Sequence, residues 1–112
     1  MWITFNEEKP LNFLLSKGYV YTIRHWYPKK PQIRRIRVKG NFLSVKVKVS
    51  FIDILHPLSK LDEYVHGSGF ENVKEWIDAI FRQHFKSENL RKGKLYIPKK
   101  GRLYIVKCEL VN

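Results

Sequence analysis

Leu43-Ser44-Val45-Lys46-Val47-Lys48-Val49-Ser50-Phe51 alternates apolar and polar side chains without a slip. Side chains of a strand point to opposite faces in turn. Leu43, Val45, Val47, Val49 and Phe51 are therefore expected to face a core, with Lys46 and Lys48 in solvent. A half-buried strand needs partners, and the flanking sequence offers them. Upstream, Ile33 to Lys39 places Ile36 and Val38 on one face and Arg35, Arg37 and Lys39 on the other. Gly40-Asn41 between the two runs marks a tight turn, hence a β-hairpin. Its strands would show Arg35, Arg37, Lys46 and Lys48 to solvent together. After Phe51-Ile52 the phase changes, which predicts a bulge or bend before Ile54 and Leu55.

Working outward from the hairpin, Gly18-Tyr-Val-Tyr-Thr-Ile-Arg-His-Trp26 reads as another strand, rich in β-branched and aromatic residues and bounded by Gly18 and Pro28. Val20, Thr22, Arg24 and Trp26 share one face, Tyr19, Tyr21, Ile23 and His25 the other. A hydroxyl, a guanidinium and an indole in one row suit a nucleotide-binding surface; the plainer reading is an edge strand with a solvated arginine. Before it, Trp2 to Phe5 is expected to form a short strand and Asn6 to Ser16 a helix. Pro10 is tolerated in that helix's first turn, and Lys17-Gly18 closes it with a cation and a C-cap glycine.

Downstream, Leu58 to Val65 predicts a short helix, followed by the loop His66-Gly-Ser-Gly69. A longer helix is expected from about Val73 to Phe85. Its apolar stripe is Val73, Trp76, Ile77, Ile80, Phe81 and His84, at spacings of three and four. Asn72 followed by Glu75 is a capping-box pattern. Ser87 to Gly93 reads as a basic loop, Lys94 to Ile97 as a strand, and Leu103 to Val111 as the last strand, with Tyr104, Val106, Cys108 and Leu110 on its core side. The expected architecture is a single α+β domain spanning 1–112. It is a small β-barrel of about five to six mostly antiparallel strands, with two or three helices at its side or opening.

Charge narrows the function. The 112 residues carry a net charge of +12, and it is segregated. Residues 17–48 hold ten Lys or Arg and no acid, whereas six of the ten acids lie between Asp53 and Asp78. A charge present only for solubility would mix its signs. The expected partner is an anionic polymer, with RNA first. Lys29, Lys30, Arg34, Arg35, Arg37, Lys46 and Lys48 would steer its backbone. Arg24 would contact a phosphate or base, and Trp26 or Tyr21 would stack on bases. No apolar run approaches the roughly 20 residues that cross a bilayer, and no secretion signal opens the chain. The single cysteine, Cys108, suits a reducing compartment, so a cytoplasmic protein is expected.

Other chemistries find little support. His25, His56, His66 and His84 stand apart and no Cys-x-x-Cys occurs, so neither a metal nor another cofactor is expected. Cys108 lies in the core phase of its strand and reads as a small hydrophobe. Gly67-Ser-Gly69 lacks the lysine and spacing of a phosphate-binding loop. A hydrolytic arrangement would use Thr22 as nucleophile beside a neutral lysine, with Glu75 shuttling a proton.

Two blocks together resemble a known family. Tyr21-Thr-Ile-Arg24 after an apolar helix, and Gly69-Phe-Glu-Asn-Val-Lys-Glu-Trp76 leading to Gln83-His-Phe85, are similar to the ASCH domain of the PUA-like group of small β-barrels. The likeness extends to the closing strand and covers nearly the whole chain. It implies an RNA-binding cleft between barrel and helices, lined by the Thr22 and Arg24 strand and the start of the long helix. The alternative is a small hydrolase acting on a modified nucleoside or on RNA itself, since the resemblance also implies that some small bacterial members look like amidohydrolases acting on acetylated cytidine through a Lys, a Thr and a Glu. Thr22 matches the Thr and Glu75 the Glu. The family's lysine position holds Tyr19 here, and Lys17 lies two residues earlier.

Overall fold

A computed structural model describes residues 1–84 and 102–111. In chain order, β1 (Trp2–Thr4) leads to α1 (Glu8–Lys17), β2 (Tyr19–Arg24), β3 (Gln32–Val38) and β4 (Asn41–Ile54). A 3₁₀ turn (Leu58–Lys60) then precedes α2 (Leu61–Tyr64), and a second one (Val65–Gly67) follows it. α3 (Val73–His84) and β5 (Tyr104–Val111) complete the described chain. The expected strand Lys94–Ile97 and loop Ser87–Gly93 lie outside the described residues.

The five strands form one mixed sheet in the order β1-β3-β4-β5-β2, curled into a half-barrel. Only β1–β3 is parallel; β3–β4, β4–β5 and β5–β2 are antiparallel. The α+β class thus stands, but among the described residues the sheet leaves β1 and β2 as two separate edges instead of one hydrogen-bonded ring. The β3–β4 hairpin turns through Lys39 (φ 49°) and Gly40 (φ 82°). Two successive positive φ angles match the twist of the flanking strands. The turn therefore sits one residue before the expected Gly40-Asn41.

Each face of the sheet contributes to a core. Its concave side holds Ile3, Phe5, Val20, Ile36, Val47, Val49, Val106 and Cys108, and Leu14 of α1 joins them. Gly18 ends α1 in the left-handed region, and its N–H donates to the Leu14 carbonyl at 2.8 Å, the expected C-cap. The convex side is covered at one end only, where Ile23 and Ile105 pack under Leu61, Phe70, Trp76, Ala79 and Ile80 of α2, α3 and their connection. Alternation carries both cores along β2, with Val20 facing one and Ile23 the other. Asn72 Oδ1 accepts from the Glu75 N–H at 2.8 Å and starts α3. The predicted bulge falls between Phe51 and Asp53 of β4. Phe51 itself is exposed, a correction to its expected place in the core. It lies at the barrel rim, where its ring meets Tyr27 (4.7 Å between centroids) and Tyr104 (6.3 Å).

Candidate nucleic-acid interface

Among the described residues, the helices leave most of the convex face of β1, β3 and β4 uncovered. Pairing sets its rows: Trp2 opposite Arg35 and Arg35 opposite Lys46, then Arg37 opposite Phe42, and Ile33 opposite Lys48. Cross-strand partners share a face, so these side chains form one surface. Arg35, Lys46 and Lys48 are exposed, with Arg37 partly so. Trp2 is 49% and Phe42 42% exposed, unusual for large apolar residues with a core available to them. Their rings meet edge to face, with centroids 6.0 Å apart and planes at 79°. The Arg35 guanidinium lies 4.0 Å above the Phe42 ring, and that of Arg37 5.6 Å from Trp2. Glu109 is the acidic strand residue on this open area among the described residues, with Lys48 at 3.9 Å and Lys107 at 4.0 Å.

The other expected binding residues are placed differently. Arg34 points to the concave side, donating to the Trp2 carbonyl at 3.0 Å and to Gln32 Oε1 while its guanidinium covers the Trp26 ring at 4.1 Å. Arg24 donates from Nη1 to the Thr4 carbonyl at 2.7 Å and lies 5.1 Å from the Phe5 ring. Its Nε is shut off from solvent with no hydrogen-bond partner among the described residues, and burial pushes the group below its ordinary arginine pKa. Tyr21 packs edge-on against Tyr64 and Tyr19, with Gly67 beneath it so closely that a methyl group there would sit 2.6 Å from the ring. Lys29 and Lys30 are exposed in the loop joining β2 to β3. The expected row on β2 is therefore occupied in packing, and the solvent-facing cations lie on the hairpin and the loop before it.

Thr22 is only 8% exposed, beside a cavity of about 10 Å3 lined by Pro10, Phe70, Trp76 and Gln83. Such a space holds about one water molecule. Lys17 is exposed at the C-terminal end of α1. The lysine that reaches Glu75 is instead Lys9, whose Nζ lies 2.6 Å from Oε1. That hydrogen bond lowers the Glu75 pKa below the usual carboxylate value and raises that of Lys9. Both charged forms are favoured, the reverse of a neutral lysine or a proton-donating acid poised for catalysis. Burial pushes the Cys108 thiol up to about 12, consistent with an inert core residue. Among the described residues no cluster of His, Cys, Asp or Glu could hold a metal, and no helix is long and apolar enough to cross a membrane. A hollow of about 710 Å3 between the end of β4, α3 and the start of β5 has mainly apolar walls.

Trp2, Phe42 and Lys9 escaped the sequence reading. For Phe42 a signal existed: it is in phase with Ser44, Lys46 and Lys48, the outward positions of β4. For Trp2 and Lys9 none did, because their partners lie 40 and 66 residues away. Comparison with protein-family models, with curated proteins and with solved structures finds no match to this chain.

Proposed function

We propose that this protein binds RNA through the open convex face of β1, β3 and β4. The observation that carries the reading is the set Arg35, Arg37, Lys46 and Lys48 on one sheet face, interleaved with exposed Trp2 and Phe42. Cations on a rigid sheet neutralise successive phosphates, and the arginines offer planar donor forks to phosphate oxygens. The exposed Lys29 and Lys30 would extend the positive field beyond the hairpin. The ASCH-like order of elements supports an RNA ligand, although the surface favoured here is the sheet face and not a cleft beside Thr22. Hydrolysis of acetylated cytidine would need that threonine to open to a nucleoside and a lysine to lose its proton; the burial of Thr22 works against the first and the Lys9–Glu75 pair against the second. The test is binding of a labelled oligoribonucleotide as salt is raised. If about four phosphates are neutralised, log affinity should fall with log salt at a slope of roughly −2.8 for a single strand. Affinity indifferent to salt contradicts the reading.

A further inference from the structure

The convex face carries more than charge, and its aromatic pair says which form of nucleic acid fits it. Resting on the reading just given, we infer that Trp2 and Phe42, with Arg35 and Arg37 laid against them, are a base-stacking subsite for unpaired nucleotides and not for a duplex. The argument is geometric. In a duplex, consecutive bases stay parallel at about 3.4 Å, and their faces are hidden in the stack. The Trp2 and Phe42 rings are 6.0 Å apart with planes at 79°. Two bases lying flat on these rings would be nearly perpendicular to one another, which only an unstacked, flexible strand permits.

The arginines strengthen the same preference. Arg35 sits at stacking distance, 4.0 Å, over Phe42. A base can therefore lie on the other face of the ring or on the outer face of the guanidinium, both flat surfaces that accept any base. The layer continues across the strands, because Lys46 stands opposite Arg35 and can meet the phosphate beside a stacked base. Nothing in this arrangement reads a base edge, so the subsite should tolerate sequence. Acidic protein segments would satisfy the lysines but leave the two half-exposed rings without a flat partner.

The experiment compares four ligands by anisotropy and tryptophan fluorescence: a 12-nucleotide oligouridylate, the same strand annealed to oligoadenylate, inorganic polyphosphate and polyglutamate. The single strand should bind about tenfold or more tighter than the duplex and quench fluorescence, while polyphosphate binds without quenching. Trp2→Leu and Phe42→Leu should each weaken single-strand binding by about fivefold or more while leaving duplex and polyphosphate affinity unchanged. Trp2→Leu should also abolish the quench, since Trp76 is buried and Trp26 is packed against the concave core beneath the Arg34 guanidinium. Should Trp2→Leu fail to fold, Phe42→Leu and the wild-type quench decide. The inference is overturned if duplex binds as tightly as single strand, if both variants lose the same factor on polyphosphate, or if polyglutamate matches RNA. In the first two cases the basic face survives without its stacking role. If no nucleic acid binds at all, the preceding reading fails and takes this one with it.

Discussion

Arg24 of β2 donates a 2.7 Å hydrogen bond to the backbone carbonyl of Thr4 in β1, and so ties together the two open edges of the sheet. β1 and β2 stand at opposite ends of the strand order, where no backbone ladder joins them. The guanidinium spans that gap, with the Phe5 ring beside it. Burial lowers the pKa of the group, and its hydrogen bond satisfies an edge carbonyl that would otherwise lack this donor.

Arg24→Met should therefore act on stability. A hydrogen bond from a charged donor to a partly buried carbonyl contributes about 1.5–3 kcal/mol. Relief of the desolvated Nε offsets part of this, so a net loss of about 1–2 kcal/mol is expected. Urea denaturation checks the value, and RNA affinity measured on the folded variant should stay close to wild type. An unchanged midpoint with a large loss of binding would return Arg24 to the role of a ligand contact.

Gly69 and Gly18 separate two costs of losing a glycine. Both have positive φ, 87° and 88°, but a methyl group at Gly18 meets open space, whereas at Gly69 it would lie 2.6 Å from the Lys9 carbonyl. Gly18→Ala should cost about 1 kcal/mol from the left-handed backbone alone. Gly69→Ala adds a backbone clash that pushes α1 off the loop before α3, and should cost about 3 kcal/mol or more. Equal losses in denaturant would contradict the close approach.

The Lys9–Glu75 pair gives an acid-side prediction. Glu75 is held below its ordinary pKa of 4.5. Its contribution is therefore complete above that value and is lost as pH falls through the lower, folded-state one. Glu75→Gln should be less stable than wild type at neutral pH, and the gap should shrink below about pH 4.5. Lys9→Met should lose the same acid-side dependence, and the double variant should add little further loss. Parallel stability curves for wild type and Glu75→Gln down to pH 2 would show that the pair does not couple to folding.

How much of this was legible in the sequence varies by element. The alternation of residues 43–49 set a strand with its lysines outward, and Asn72 set the start of α3, because both signals are local. Phe51 kept the apolar phase but lies at the barrel rim beside Tyr27 and Tyr104, and periodicity does not tell a core from a rim. Alternation puts Thr22 and Arg24 in one phase of β2. Whether that face lined a cleft or a packed interior depended on β1, which is 20 residues from Arg24 in sequence and joined to it only through a side chain. The Trp2–Phe42 contact exists only once β1 has paired in parallel with β3, a pairing no local signal announces.

The central claim is that RNA lies on the convex sheet face, and one pair of charge reversals tests it most directly. Lys46 and Lys74 are both exposed, but Lys46 stands in the row with Arg35 and Trp2, while Lys74 belongs to α3. Lys46→Glu and Lys74→Glu change the net charge equally. Titrations of a labelled single-stranded oligoribonucleotide across salt concentrations should show Lys46→Glu weakened by about tenfold at low salt, with its salt slope shallower by about 0.7. Lys74→Glu should stay within about twofold of wild type, as expected for a screened charge on a helix that contributes nothing to the row of cations on the sheet. Equal weakening by the two reversals would mean that RNA follows net charge alone and that the sheet face is not its site.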